Sequence, residues 1–189
     1  MTTEPGTQRL FLVRHGQTAL NAAGQLRGLA NPPLDETGES EARAVAESLR
    51  SEGIAVVYCS PLQRAVRTAG TIADAAGVEA VPDARFNDRD YGPWTGHLRS
   101  EVVAEFGSVD AAPGVEATSA VMARARPALD VVLDAHPGQT VAIVTHDAVL
   151  RPLILDLDPQ VGELEVPTGS WSELRRADGV WTILRKDQK

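Results

Sequence analysis

Residues 10–18 read Leu10-Phe11-Leu12-Val13-Arg14-His15-Gly16-Gln17-Thr18: four apolar residues that run straight into an arginine, a histidine and a glycine. An apolar run with no polar alternation marks a strand covered on both faces, the kind that parallel sheets use. Two further segments have the same form. Ile54 to Tyr58 runs into Cys59-Ser60-Pro61, with Arg64 close behind, and Thr140 to Val144 runs into Thr145-His146-Asp147.

Between these strands the period changes to that of helices. Thr37 is placed to cap a helix to about Glu52, with Ala42, Val45, Ala46 and Leu49 on one face and Gly53 as the stop. Pro61 opens a second helix that runs to Ala76 and ends at Gly77, and Val78 to Val81 is a short strand. Asp83 to Gly96 and Gly24 to Pro33 read as loops. Leu98 to Phe106 is a short helix, and Val115 to His136 is helical with Pro127 as a point of kink or break. Ala148 to Leu155 is a helix that carries Pro152. Gly162 to Val166, Gly169 to Arg175 and Val180 to Arg185 read as late strands, the last two joined by a turn at Asp178-Gly179. Strand and helix in alternation predict an α/β three-layer sandwich, a mostly parallel central sheet with helices on both faces. The length of 189 residues predicts one domain, with residues 1–8 as a flexible tail.

The balance of 18 basic and 26 acidic residues gives a net charge of -8, which argues against a nucleic-acid or anionic-membrane partner. Cys59 is the one cysteine, so no intramolecular disulfide forms; a cytoplasmic protein is expected. The polar start carries no secretory signal, no run reaches membrane-spanning length, and no Cys/His cluster has zinc spacing. The sequence leaves the oligomeric state unassigned.

Ligands of open α/β sheets bind beyond the carboxyl ends of the strands. If the three strands lie side by side, Arg14, His15, Arg64 and His146 meet at one edge. Alone, an Arg-His-Gly or Thr-His-Asp triplet is a common strand end; together they suit a phosphoryl group. Arginine grips the oxygens bidentately, a neutral imidazole nitrogen attacks phosphorus, and a second imidazole steadies the equatorial oxygens. Gly16 lets the backbone come close. Arg27, Trp94, His97 and Glu116 are candidates for the pocket wall.

The same residues resemble a family. Leu12-Val13-Arg14-His15-Gly16-Gln17-Thr18 with Asn21 is similar to the signature of the histidine phosphatase superfamily, in its phosphoglycerate-mutase-like branch. Pro33-Leu34-Asp35-Glu36-Thr37-Gly38, Ser60-Pro61-Leu62-Gln63-Arg64-Ala65, Asp90-Tyr91-Gly92-Pro93-Trp94-Thr95-Gly96 and Val144-Thr145-His146 continue it in order. The resemblance implies that His15 becomes a phosphohistidine and that Arg14, Arg64 and His146 hold the phosphate. It also implies polar contacts from Gln17 and Asn21, no metal and no organic cofactor. Two positions depart from the pattern. Asp88 stands where mutase-like members carry a proton-donating Glu, and Asp147 stands where they carry Gly and the acid-phosphatase branch carries a donor Asp. Both are candidate acids, Asp88 ahead because its loop matches the mutase-like branch; Asp90 is a weaker third. The expectation is a metal-independent phosphomonoester hydrolase acting on a small phosphorylated substrate, with a phosphoprotein substrate as a subtype. The alternatives are a phosphoglycerate mutase-type phosphoryl transferase and a non-catalytic module that binds phospho-ligands.

Overall fold

The structure, a computed structural model, describes residues 7–189; the tail expected over the first six residues lies outside it. The three apolar runs become β1 (Gln8–Arg14), β2 (Ile54–Cys59) and β4 (Thr140–Thr145), with the short β3 (Ala80–Pro82) beside β2. The chain ends in a hairpin, β5 (Trp171–Ala177) and β6 (Val180–Gln188). The six strands are ordered β3-β2-β4-β1-β5-β6. The first four are parallel to one another, and β5 runs antiparallel to both β1 and β6.

Alternation along β1 explains the three layers. Leu10 and Leu12 pack with helix α5 (Thr118–Ala135) and helix α6 (Asp147–Leu157), through Leu129, Leu133, Leu150 and Leu153. Phe11 and Val13 point the other way, onto helix α2 (Glu36–Leu49) and helix α3 (Gln63–Ala76), through Val45, Leu49, Ala69 and Ile72. A slip of one residue would exchange the two faces, so burial of these side chains, worth roughly 1.5–3 kcal/mol each, fixes the register. Two shorter helices lie outside this frame, α1 (Ala19–Ala22) and α4 (Arg99–Phe106).

Several boundaries move from their expected places. Gln8 belongs to β1 rather than to a tail, because its buried amide donates to the carbonyls of Leu133 at 3.1 Å and His136 at 3.0 Å. Asp35, not Thr37, caps α2, accepting from the Gly38 N–H at 2.8 Å. Helix α3 starts at Gln63, two residues after Pro61. Pro127 does not break α5; its ring is exposed. The strand expected over Gly162 to Val166 does not form. Val166 sits in the left-handed region (φ 47), and Asp187 accepts from the N–H groups of Glu165 (2.9 Å) and Val166 (3.0 Å), which takes those donors away from any ladder. Among the described residues no helix is long and apolar enough to cross a membrane.

Candidate active site

Register alone brings the two histidines together. Arg14 pairs with Thr145 across β1 and β4, so the next residues, His15 and His146, leave the sheet side by side. The His15 N–H donates to the Thr145 carbonyl at 3.1 Å, and the Ser60 N–H to the Val144 carbonyl at 3.0 Å. The imidazole centroids lie 5.0 Å apart at 58°. Both rings are fully buried.

The His15 ring is held in one tautomer. Its Nδ1 lies 2.6 Å from the Gly16 carbonyl, which can only accept, so Nδ1 carries the proton and Nε2 keeps a lone pair. Among the described residues that Nε2 is buried and has no hydrogen-bond partner. The loop carrying it is fixed from two sides. The Gly16 N–H donates to Thr68 Oγ1 on α3 at 3.1 Å, and Gln17 exchanges bonds with the start of α2, its N–H to Glu41 at 2.9 Å and its carbonyl from Asp35 at 3.0 Å. A β-carbon on Gly16 would stand 2.4 Å from the Gly38 carbonyl, so glycine is needed here for closeness.

Arg64 rises from the first turn of α3 and is fully buried. Its Nη1 donates to the Ala30 carbonyl at 2.7 Å; its Nη2 donates to the Gly28 carbonyl at 2.9 Å and to Asp88 at 3.0 Å, while Nε has no partner. Asp88 is also buried and lies 3.6 Å from His146 Nδ1. Its backbone is pinned by Arg124 of α5, which donates to the carbonyls of Asn87 at 2.8 Å and Asp88 at 2.9 Å. Arg14 donates to the Val166 carbonyl at 2.7 Å and keeps a buried, unpartnered Nε. Asp187 thus fixes the left-handed Val166, and Val166 in turn aims Arg14.

Charge and burial act together. Both imidazoles are held well below the usual histidine range: His15 by burial, then by the charges of His146, Arg64 and Arg14, and His146 by burial, then by Arg64, Arg27 and Arg14. Burial also presses Arg14 and Arg64 downward. Among the described residues the arrangement is a buried floor with a free imidazole nitrogen on His15, two guanidinium groups with N–H to spare and a second imidazole that makes no hydrogen bond. Such an arrangement supplies donors that can hold a small dianion.

Arg14 also lines a cleft of about 440 Å³ whose wall includes Arg27, Tyr91 and Asp147. Asp147 is half-buried and pairs with Arg151 at 2.9 Å. Gln17 and Asn21 turn elsewhere: the Gln17 amide donates to Asp35 at 3.1 Å, and Asn21 Oδ1 accepts from the Thr18 N–H at 3.1 Å and hydroxyl at 2.8 Å. Of the expected wall residues, Arg27 lies on the cleft. Trp94 packs instead on His97 and Phe106, and Glu116 pairs with Arg124. Asp90 caps the Gly92 N–H at 2.8 Å. Arg124, Val166 and Asp187 carried no signal in the sequence, because each acts through a partner at least 21 residues away.

The chain is similar to known proteins. The model of the histidine phosphatase superfamily (branch 1) matches residues 10–189. The phosphoserine phosphatase 1 of Hydrogenobacter thermophilus is 33% identical over 155 residues, 77% of this chain and 74% of that protein. A 2,3-bisphosphoglycerate-dependent phosphoglycerate mutase of Corynebacterium diphtheriae is 30% identical over 86% of this chain and 84% of its own length. The structure of an α-ribazole phosphatase from Shigella flexneri superposes with a TM-score of 0.82 at 25% identity, covering 95% of this chain and 96% of that one. On the match across residues 10–189, the chain belongs to branch 1 of the histidine phosphatase superfamily.

Proposed function

We propose that the chain is a cytoplasmic, single-domain phosphomonoester hydrolase that passes the phosphoryl group through His15. One observation carries this reading: a buried imidazole whose proton is fixed on Nδ1 and whose Nε2 faces no partner, set among Arg14, Arg64 and His146. In the first step His15 Nε2 attacks phosphorus in line, the bond from phosphorus to the leaving oxygen breaks, and that oxygen takes a proton from Asp88. In the second step Asp88 takes a proton from water, the water oxygen bonds to phosphorus, the phosphorus–Nε2 bond breaks, and inorganic phosphate leaves. Arg14, Arg64 and His146 carry the charge that moves among the equatorial oxygens.

Asp88 is preferred to Asp147 as the acid because it stands within the floor, beside Arg64 and facing His146, whereas Asp147 lies on the cleft wall. The substrate is a small phosphorylated molecule, and Gln17 and Asn21 serve by shaping the loop. The test is phosphate release from p-nitrophenyl phosphate in EDTA. Activity in the wild type and its loss in His15→Ala support the reading; equal release by both contradicts it.

A further inference from the structure

Asp88 stands in a stretch, residues 87–91, that belongs to no helix or strand. No backbone ladder fixes it, so side chains must place its peptide units. An aspartate has one methylene between backbone and carboxyl, so an error in the backbone passes almost undiminished to the acid. One guanidinium meets this need. Arg124 of α5 donates through Nη1 to the carbonyls of Arg85 at 2.9 Å and Asn87 at 2.8 Å, and through Nη2 to that of Asp88 at 2.9 Å. The last two carbonyls belong to the peptide units on either side of the Asp88 α-carbon. A single planar group therefore holds both.

Glu116 holds the arginine in turn. Its carboxylate accepts from Arg124 Nε at 3.1 Å and Nη2 at 3.2 Å, and from the Asp90 N–H at 3.0 Å. The Glu116 N–H donates to the Asp90 carbonyl at 2.8 Å, and the Glu116 carbonyl accepts from Arg89 Nε. Glu116 thus binds the arginine and the two residues that follow the acid. Both side chains are part-buried, which shields the pair from salt. All three nitrogens of the Arg124 guanidinium are engaged within the protein, whereas Arg14 and Arg64 each keep a buried Nε without a partner. Arg124 is arranged to serve the loop and not a ligand.

We propose that Arg124 and Glu116 are positioning residues for proton donation: the pair sets the Asp88 backbone so that the carboxyl meets the leaving oxygen. The proposal rests on reading Asp88 as the acid. It gives the pair a kinetic signature that a purely structural pair lacks. A variant that merely loses folded protein slows every ester by the same factor. A variant with a displaced acid slows most the ester whose leaving group needs the proton.

The experiment measures kcat/KM, which reports the transfer to His15, for p-nitrophenyl phosphate and for phenyl phosphate, the poorer leaving group. The ratio of the two cancels any loss of folded enzyme. Arg124→Ala is expected to raise that ratio about tenfold. Arg124→Lys, which keeps the charge but not the fork, is expected to raise it less, and Glu116→Gln to raise it in the same direction. In the Asp88→Asn background, where the ratio is already raised, Arg124→Lys should add nothing to it. Where Arg124→Ala does not fold, Arg124→Lys and Glu116→Gln carry the test. A ratio raised in Asp88→Asn but unchanged in both of these overturns the proposal, as does a further rise when Arg124→Lys is added to Asp88→Asn. A ratio unchanged in Asp88→Asn itself marks a different failure, that of the acid assignment.

Discussion

Gly38→Ala sets the tertiary packing of the nucleophile loop against the local preferences of a helix. Gly38 is the third residue of α2, where alanine has the better helix propensity by up to about 1 kcal/mol. Local propensity alone would therefore make the variant more stable. The structure predicts the reverse. A β-carbon on Gly38 would lie 2.0 Å from the Gln17 carbonyl oxygen, 2.7 Å from its nitrogen and 2.9 Å from its carbonyl carbon, all backbone atoms. Reaching ordinary contact at 3.4 Å requires a displacement of about 1.4 Å. Overpacking of this kind costs about 1–3 kcal/mol, which at the middle of that range leaves a net loss of about 1 kcal/mol after the full propensity gain. Gln17 is two residues from His15 and one from the carbonyl that fixes its ring, so the nucleophile moves as well. Misplacement by about 1 Å lowers turnover about hundredfold. Urea denaturation measures the first effect and initial rates with p-nitrophenyl phosphate measure the second. A variant as stable and as active as the wild type would refute the reasoning.

Three further outcomes follow from the site. Asp88→Asn is expected to cost about 3 kcal/mol, because it leaves buried Arg64 without its counter-ion, and to slow esters with poor leaving groups most. Asp147→Asn, on a part-exposed pair, is expected to cost under about 1 kcal/mol and to leave that dependence on leaving group in place; the opposite ranking assigns the acid to Asp147. Asp187→Ala releases Val166 from its left-handed geometry and lets Arg14 swing, so vanadate inhibition should weaken about tenfold with a rise in KM larger than the fall in kcat. Unchanged vanadate inhibition would show that Val166 holds Arg14 unaided. The depressed histidines set a pH dependence. Above about pH 6.5 both are neutral in the folded and unfolded chain, and stability is complete. As pH falls below that value the unfolded chain takes up protons that the folded chain refuses, so stability drops, with a slope of up to about 1.4 kcal/mol per pH unit for each histidine. His146→Gln should remove one such slope between pH 6.5 and 5, read by urea denaturation against the wild type.

The parts of the molecule that could be read from its sequence are those whose signal is local. The apolar runs 10–13, 54–58 and 140–144 are each long enough to be strands and too apolar to be edges, and their polar ends mark the functional side of the sheet. His15 and His146 were legible because each stands two residues past such a run, and Arg64 because it falls in the first turn of the helix that follows one. What depends on tertiary partners was not legible. Gly162 to Val166 has strand-like composition, but the Asp187 carboxylate claims its N–H groups from a distance of 21 residues. Gln17 and Asn21 carry the right chemistry for a pocket, yet a short helix start and Asp35 take up their polar atoms. The pairing of Asp88 with Arg64 depends on how a loop after β3 folds back under α3, which no spacing encodes.

The central claim is the covalent intermediate on His15, and trapping it tests that claim most directly. Protein mixed with excess p-nitrophenyl phosphate is quenched in alkali, where a phosphohistidine survives, then digested and examined by mass spectrometry. One phosphoryl group is predicted on the peptide that contains His15, absent in His15→Ala and discharged when the enzyme is left without substrate. Steady turnover with no phosphoryl group on that peptide, or with the group on His146 instead, would contradict it.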